Sequence, residues 1–277
     1  MVIESLLRAG AKQLEQAADR PLFEARLLLA HALKCDMTDL LVQSGREVSA
    51  EAEERFLEMI NQRAKRKPMA YIIGKQPFFG LEFEVTPEVL IPRADTETLV
   101  EFILSKQPAR LLDLCTGSGC IAISAAALLP AATVAALDIS HKALKVAVQN
   151  SKKHKVQKRV AFYQQNVLQD FGDLGRFDMV VSNPPYIRTE EMGGLMPEVR
   201  DYEPALALEA GKDGLMFYRR IVQVAPGLLN QGGFLAFEVG YDQADAVCAL
   251  MRPAFEEVGC KKDLAGIRRV VFGKRKK

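Results

Sequence analysis

The chain of 277 residues is short of histidine, cysteine and net charge, and each shortage removes a class of function. Three scattered histidines argue against a histidine-built metal centre. Five cysteines, at 35, 115, 120, 248 and 260, make an odd set with no Cys-x-x-Cys, so neither a disulfide framework nor a zinc knuckle is indicated. No apolar run reaches the roughly 18–20 residues of a membrane span, because Arg, Glu or Lys interrupts the longest candidates. The opening Met-Val-Ile-Glu-Ser-Leu-Leu-Arg lacks the basic start and apolar centre of a secretory signal, and reads instead as an amphipathic helix. A net charge of +2 is too small to mark a nucleic-acid binder by bulk charge. The expectation is a monomeric cytoplasmic protein in a reducing compartment, with no membrane and no direct nucleic-acid partner.

What is present is ordinary for a globular protein: 49% hydrophobic and 26% charged residues, enough for one large domain or two moderate ones. Charge is concentrated locally in Arg63-Ala64-Lys65-Arg66-Lys67, Lys152-Lys153-His154-Lys155 and Lys274-Arg275-Lys276-Lys277. The first two sit where helices end, which favours cations, so each cluster reads as a solvated face.

Residues 1–68 read as a small helical bundle. Leu6, Leu7, Ala11, Leu14 and Ala18 keep helical spacing, Pro21 opens a second helix, and a short third runs near Thr38 to Gln43. Ser49 caps a fourth. From Ala70 to Arg93 the pattern turns to hairpin-like strands, Tyr71-Ile72-Ile73-Gly74 and then Phe78 through Val85, a connector spanning 69–93. Residues 94–277 follow as the main domain. Strand patterns at 110–114, 133–137, 160–164, 177–181 and 234–238 alternate with helices at 121–129, 143–150, 218–229 and 244–255. A last strand lies near 269–272. That alternation predicts an α/β fold with a doubly wound parallel sheet.

Two stretches of this domain carry chemistry. In Leu111-Leu112-Asp113-Leu114-Cys115-Thr116-Gly117-Ser118-Gly119 a strand runs into a glycine-bearing turn and a helix, where backbone amides can approach an anionic ligand. Asp138 ends the next strand, 19 residues after Gly119, where a carboxylate can accept from both ribose hydroxyls. This half fits an adenosine-containing cofactor, either NAD or S-adenosylmethionine. The second stretch is Val180-Val181-Ser182-Asn183-Pro184-Pro185-Tyr186, a buried strand stopped by two prolines. The Asn183 side-chain oxygen and the Pro184 carbonyl can accept both N–H bonds of an amide-like nitrogen, and Tyr186 can stack on the planar acceptor. Such a nitrogen is a poor nucleophile, so fixing its lone pair and favouring the charge that develops on it is what methyl transfer needs. Hydride transfer needs no such loop. The cofactor indicated is S-adenosylmethionine.

The motifs Leu90-Ile91-Pro92-Arg93-Ala94-Asp95-Thr96-Glu97, Asp113 to Gly119, Asn183 to Tyr186 and Tyr202-Glu203-Pro204-Ala205-Leu206-Ala207-Leu208 together resemble the bacterial HemK/PrmC family. Asp213-Gly214-Leu215 and Glu238-Val239-Gly240-Tyr241-Asp242-Gln243 extend the likeness almost end to end. The family comprises S-adenosylmethionine-dependent methyltransferases acting on the N5 of a release-factor glutamine. The resemblance implies a Rossmann-like methyltransferase domain joined to a helical domain that helps dock the release factor. It implies class 1 peptide chain release factors as protein substrate, their Gly-Gly-Gln glutamine as acceptor, a role in translation termination, and S-adenosyl-L-homocysteine as product.

By the same resemblance Cys115, Thr116, Gly117, Ser118 and Gly119 lie along the methionine part of the cofactor, Asp138 holds the ribose, and Asn166 and Val167 flank the adenine. Asn183, Pro184, Pro185 and Tyr186 hold the glutamine, with Asn183 also near the transferable methyl. Arg93 can orient the cofactor or pair locally with Glu97. Asn-Pro-Pro-Tyr is shared with adenine-N6 methyltransferases, but no aromatic-interleaved basic face is present to recognise a flipped base. A non-catalytic adaptor is disfavoured by the intact Asn183 loop and Asp138. The chain departs from the family pattern twice. Cys115 stands at a usual glycine, and we expect a permitted backbone angle there, with the side chain packed against the cofactor. Asn166 stands at a usual aspartate and retains an acceptor for the adenine amino group. Binding weaker than with aspartate is expected, so Asn166→Asp should tighten S-adenosylmethionine binding in a calorimetric titration; unchanged or weaker binding would overturn that expectation.

Overall fold

In a computed structural model, the structure describes all residues except 171, 173 and 277. Of the third basic cluster, Lys277 therefore lies outside the described residues. The chain divides into two compact units, residues 1–75 with 196–202, and residues 76–195 with 203–277.

The first unit is helical: α1 (Ile3–Leu14), α2 (Pro21–Leu33), α3 (Met37–Val42), α4 (Ala50–Ala64) and α5 (Met69–Ile73). Ser49 caps α4 by accepting from the Ala52 amide, as its residue type predicts. Leu6, Leu14, Leu28, Leu29, Phe56 and Ile60 are completely buried in its core. Gly10 lets α1 meet α4 closely, since a Cβ there would lie 2.7 Å from Phe56 Cζ. The stretch at 70–74, expected as a strand, is the short helix α5 instead. Pro68 begins it and Gly74, at φ 80, closes it in the left-handed region. Ile72 and Ile73 pack on the helical core, and that contact overrides their β preference.

In the first basic cluster Arg63 does not lie on a solvated face. Arg63 is only 6% exposed, with Nε 2.6 Å from Glu24 and Nη1 3.1 Å from Glu198. Arg66 also reaches Glu198, and the Tyr202 hydroxyl donates to the Lys65 carbonyl. Residues 196–202 belong to this unit through those contacts. Burial opposes the charge on Glu198, but its own backbone amide, Arg63 and Arg66 outweigh it and hold the carboxyl below the usual glutamate range.

The second unit is built on a seven-stranded sheet. A hairpin, β1 (Lys75–Phe78) and β2 (Leu81–Glu84), precedes α6 (Ala94–Lys106). Then come β3 (Arg110–Leu114), α7 (Cys120–Leu128), β4 (Thr133–Asp138), α8 (His141–Lys153), β5 (Val160–Gln164) and β6 (Phe177–Ser182). After the short α9 (Pro197–Arg200), which belongs to the first unit, come α10 (Met216–Leu228), β7 (Leu229–Glu238), α11 (Ala244–Met251), β8 (Phe255–Lys262) and β9 (Arg268–Arg275). The sheet order is β5-β4-β3-β6-β7-β9-β8. β5 to β7 pair in parallel, and β9 and β8 run antiparallel. Both faces are covered, so successive residues of one strand enter opposite cores: Val180 packs with Tyr218 and Ile221, while Met179 and Val181 pack with Leu99 and Ile123.

The helix expected to reach residue 255 stops at Met251: Arg252 still has helical angles, but Pro253 has no N–H to extend the ladder. Phe255 instead opens β8, an edge strand buried mainly at that first residue, which leaves little apolar alternation to read. Among the described residues no helix is long and apolar enough to cross a membrane.

Removing Arg63 would leave the partly buried Glu24 without this partner and Glu198 with Arg66 alone. Arg63→Ala is expected to destabilise the protein by about 3 kcal/mol in chemical unfolding, and a loss under about 1 kcal/mol would mean that the cluster is solvated after all.

Candidate active site

Four parallel strands end in register. Leu114 of β3 stands opposite both Leu137 of β4 and Ser182 of β6, and Ser182 stands opposite Phe237 of β7. The next residue on each strand is Asp138, Cys115, Asn183 and Glu238. The Ser182 hydroxyl locks this level by donating to the Leu114 carbonyl at 2.6 Å. The strands that follow β3 are added first on one side of it, as β4 and β5, and then on the other, as β6 and β7, so the row sits at the switch point where open α/β sheets bind ligands.

The turn after β3 is tight. Cys115 adopts φ 63, contrary to the permitted angle expected from sequence. The chain must swing there so that the Thr116 amide reaches the Leu137 carbonyl at 2.9 Å before α7 begins. A non-glycine residue in this region costs about 1–2 kcal/mol. Burial, then the charge of Asp138, pushes the thiol well above its ordinary range, so it stays protonated. Gly117 and Gly119 also have positive φ, 56 and 80. At Gly119 a Cβ would stand 2.8 Å from Ile123 Cδ1 and 3.1 Å from Ala147 Cβ, so the turn needs glycine for packing as well as for angle.

Asp138 is gripped by backbone. Its Oδ2 accepts from Gly117 N at 2.8 Å and its Oδ1 from Ser140 N at 2.9 Å. Burial raises its pKa, and the amides of Ser140, Gly117 and Ile139 counter that. The carboxylate keeps acceptor capacity for a further donor.

A cavity of about 400 Å3 lies above the row, lined by Cys115, Gly117, Asp138, Asn166, Val167, Asn183 and Pro185. Leu90 and residues 204–207 form other parts of its wall. Thr116 and Ser118 do not line it. Thr116 is buried and donates to Asp113 at 2.6 Å, while the Ser118 carbonyl accepts from Asn150 at 3.0 Å. Asn150, which sequence reasoning missed, also exchanges two hydrogen bonds with the Glu84 backbone, tying hairpin, α8 and glycine turn together. Asn166 spends one lone pair of Oδ1 on the Leu168 amide at 3.0 Å.

Asn183 stands at the cavity wall and donates from Nδ2 to Thr96 Oγ1 at 3.3 Å. Among the described residues, neither Asn183 Oδ1 nor the Pro184 carbonyl receives a hydrogen bond. Pro184 and Pro185 are buried, and Tyr186 borders a second cavity of about 390 Å3. The Tyr186 phenol is pushed up to about 12, chiefly by burial and then by the charge of Glu238. Its carbonyl accepts from Gln243 Nε2 at 2.9 Å, and a Cβ on Gly214 would come within 2.5 Å of that same oxygen. The Asp-Gly-Leu and Gly-Tyr-Asp-Gln motifs therefore meet at the back of the Asn183 loop.

Arg93 pairs with the buried Glu203, which also accepts from the Ile91 amide at 3.2 Å. Glu97, the alternative partner, accepts instead from Phe79 N at 2.7 Å in the hairpin turn. Burial raises the Glu203 pKa against the pull of Arg93.

The family models for the PrmC N-terminal domain and the methyltransferase small domain match residues 5–74 and 93–196. A release factor glutamine methyltransferase of Geobacter sulfurreducens is 43% identical over 263 residues, 94% of this chain and 92% of that one. The chain belongs to the release factor glutamine methyltransferase family. Another member, from Moorella thermoacetica, is 44% identical over 84% of this chain and 83% of its own. A methyltransferase structure from Pyrococcus furiosus, 18% identical, covers 72% of this chain and 91% of its own at a TM-score of 0.54, and shares the fold. The HemK/PrmC resemblance and the Rossmann-like methyltransferase fold expected from sequence both hold.

The strained position separates this chain from a glycine at the same place. Cys115→Gly is expected to be more stable than Cys115→Ala by about 1 kcal/mol in urea unfolding; equal stabilities would mean that the φ of 63 carries no strain.

Proposed function

We propose that the protein transfers a methyl group from S-adenosylmethionine to the side-chain amide nitrogen of the glutamine in the Gly-Gly-Gln motif of class 1 peptide chain release factors. The observation that carries the reading is the pair of unengaged acceptors, Asn183 Oδ1 and the Pro184 carbonyl, at the edge of the cofactor-sized cavity.

The residues present fit the cofactor. Asp138 offers carboxylate lone pairs to ribose hydroxyls, Val167 offers an apolar surface to the adenine ring, and the Asn166 side-chain oxygen offers an acceptor to its amino group. At Gly117 a Cβ would meet no atom within 4 Å, so backbone borders open space. When bound, S-adenosylmethionine supplies a methyl group made electrophilic by its sulfonium centre. The chain supplies orientation: Asn183 Oδ1 and the Pro184 carbonyl take the two N–H bonds of the glutamine amide. Its lone pair then points out of the hydrogen-bonded plane towards the methyl. Both acceptors carry partial negative charge and stabilise the positive charge that develops on nitrogen. Tyr186, neutral at physiological pH, packs the planar amide. The alkylated nitrogen is acidic and releases its proton to water, so no carboxylate base is required. The cytoplasm, where translation takes place, is the setting this substrate implies.

The test uses labelled S-adenosylmethionine with release factor, release factor lacking the Gly-Gly-Gln glutamine, a ribosomal protein, and DNA. Label is expected only on the first; label on DNA, or label surviving glutamine replacement, overturns the reading. Asn183→Ala is expected to abolish turnover while cofactor binding persists, and wild-type turnover in that variant would remove Asn183 from the mechanism.

A further inference from the structure

Glu238 ends β7 one residue beyond the rung that pairs Ser182 with Phe237, and so it lies beside Asn183 in the neighbouring strand. It is 2% exposed, and among the described residues its Oε2 has no hydrogen-bond partner. A buried carboxyl oxygen left unpaired is expensive and calls for a physical reason. Glu238 is held in place through its backbone, since the Tyr218 hydroxyl donates to its carbonyl at 3.0 Å. Its side chain faces the hydroxyl of Thr96, itself 2% exposed, and the amide of Asn183.

An asparagine amide is nearly symmetric in shape, so packing alone does not decide which end meets a ligand. If Nδ2 faced the acceptor glutamine, donor would meet donor and the site would reject the substrate. Thr96 Oγ1 takes an N–H from Asn183, but a hydroxyl can equally donate, so Thr96 by itself leaves the orientation open. An ionised carboxylate behind both groups can only accept. It obliges the Thr96 hydroxyl to donate backwards, which leaves Oγ1 lone pairs for Asn183 Nδ2 and turns Asn183 Oδ1 towards the cavity.

We propose that Glu238 is a positioning residue for methyl transfer, fixing the Asn183 amide through Thr96 so that Oδ1 faces the acceptor nitrogen. This rests on the reading that Asn183 binds the glutamine amide. The carboxylate also places a negative charge behind Asn183, on the side where it favours charge developing on the substrate nitrogen.

The arrangement has a consequence for pH. Burial raises the Glu238 carboxyl to about 7; Thr96, Arg269 and Asn183 pull it down and Asp95 pushes it up. Arg269 is tied to Asp95 at 2.8 Å and Asp263 at 3.1 Å, so its charge is shared. Tyr186, Tyr218 and Cys120 also feel Glu238, but burial keeps all three neutral across this range. Protonated Glu238 becomes a donor as well as an acceptor, and the orientation of Thr96 and Asn183 is no longer unique. Turnover therefore falls as pH drops through about 7.

The test compares wild type, Glu238→Gln, Thr96→Val and Thr96→Ser in single-turnover methylation of release factor, with cofactor affinity measured separately. Glu238→Gln and Thr96→Val are expected to lower the rate about 10- to 100-fold, with S-adenosylmethionine affinity within about twofold of wild type. Thr96→Ser, which keeps the hydroxyl, retains the rate. The fall below pH 7 present in wild type is absent in Glu238→Gln. A wild-type rate in Glu238→Gln, an unshifted acid limb in that variant, or cofactor affinity lost in step with the rate overturns the inference. Should Glu238→Gln fail to fold, Thr96→Val decides by the same rate and affinity criteria. Absence of methylation by wild type instead overturns the functional reading on which this rests.

Discussion

The whole site depends on four strands stopping at one level. Hydrogen bonds in a parallel sheet fix the stagger of neighbouring strands, so Leu137, Leu114, Ser182 and Phe237 form a single rung. Asp138, Cys115, Asn183 and Glu238 follow it from four separate segments of the chain. Slipping one strand by a residue would exchange its two buried faces as well as moving its site residue, so the cores on both sides hold the register. The site inherits its accuracy from packing that makes no contact with ligand.

Above that row, the loops are tied by groups that have no chemistry of their own. Asn150 joins the hairpin to the glycine turn, Gln243 and Gly214 fix the Tyr186 carbonyl, and Glu203 draws Arg93 and the Ile91 amide to the cavity wall. Each of these is a buried polar group whose bonds are made to distant backbone. Such a group costs little when satisfied and much when not, so it selects one loop conformation among many. Several sequence motifs thus turn out to be halves of the same contact, as with Pro-Arg in one and Tyr-Glu-Pro in another.

Reading the sequence succeeded where local pattern and final environment agree. The alternation of buried strands with amphipathic helices, the proline stop after Ser182 and the glycine turn before α7 are all local, and all were legible. It failed where a distant contact decided the outcome. Ile72 and Ile73 are β-branched, yet the helical core captures them in α5. Arg63 sits in a run of cations that reads as solvated, yet two acidic residues far along the chain bury it. Cys115 takes a left-handed angle because the route to Leu137 demands it, a demand invisible to residue type.

The sequence by itself determined the class of fold, the kind of chemistry and the two stretches proposed as halves of the site, because periodicity, turn residues and the donor and acceptor inventory are properties of short stretches. Only the tertiary structure decided that Arg93 serves Glu203 rather than Glu97, that Thr116 and Ser118 turn away from the cavity, and that Glu238 stands behind Asn183. The first and last of these depend on strand order and loop packing, which bring residues more than 50 positions apart side by side. No short stretch contains that information.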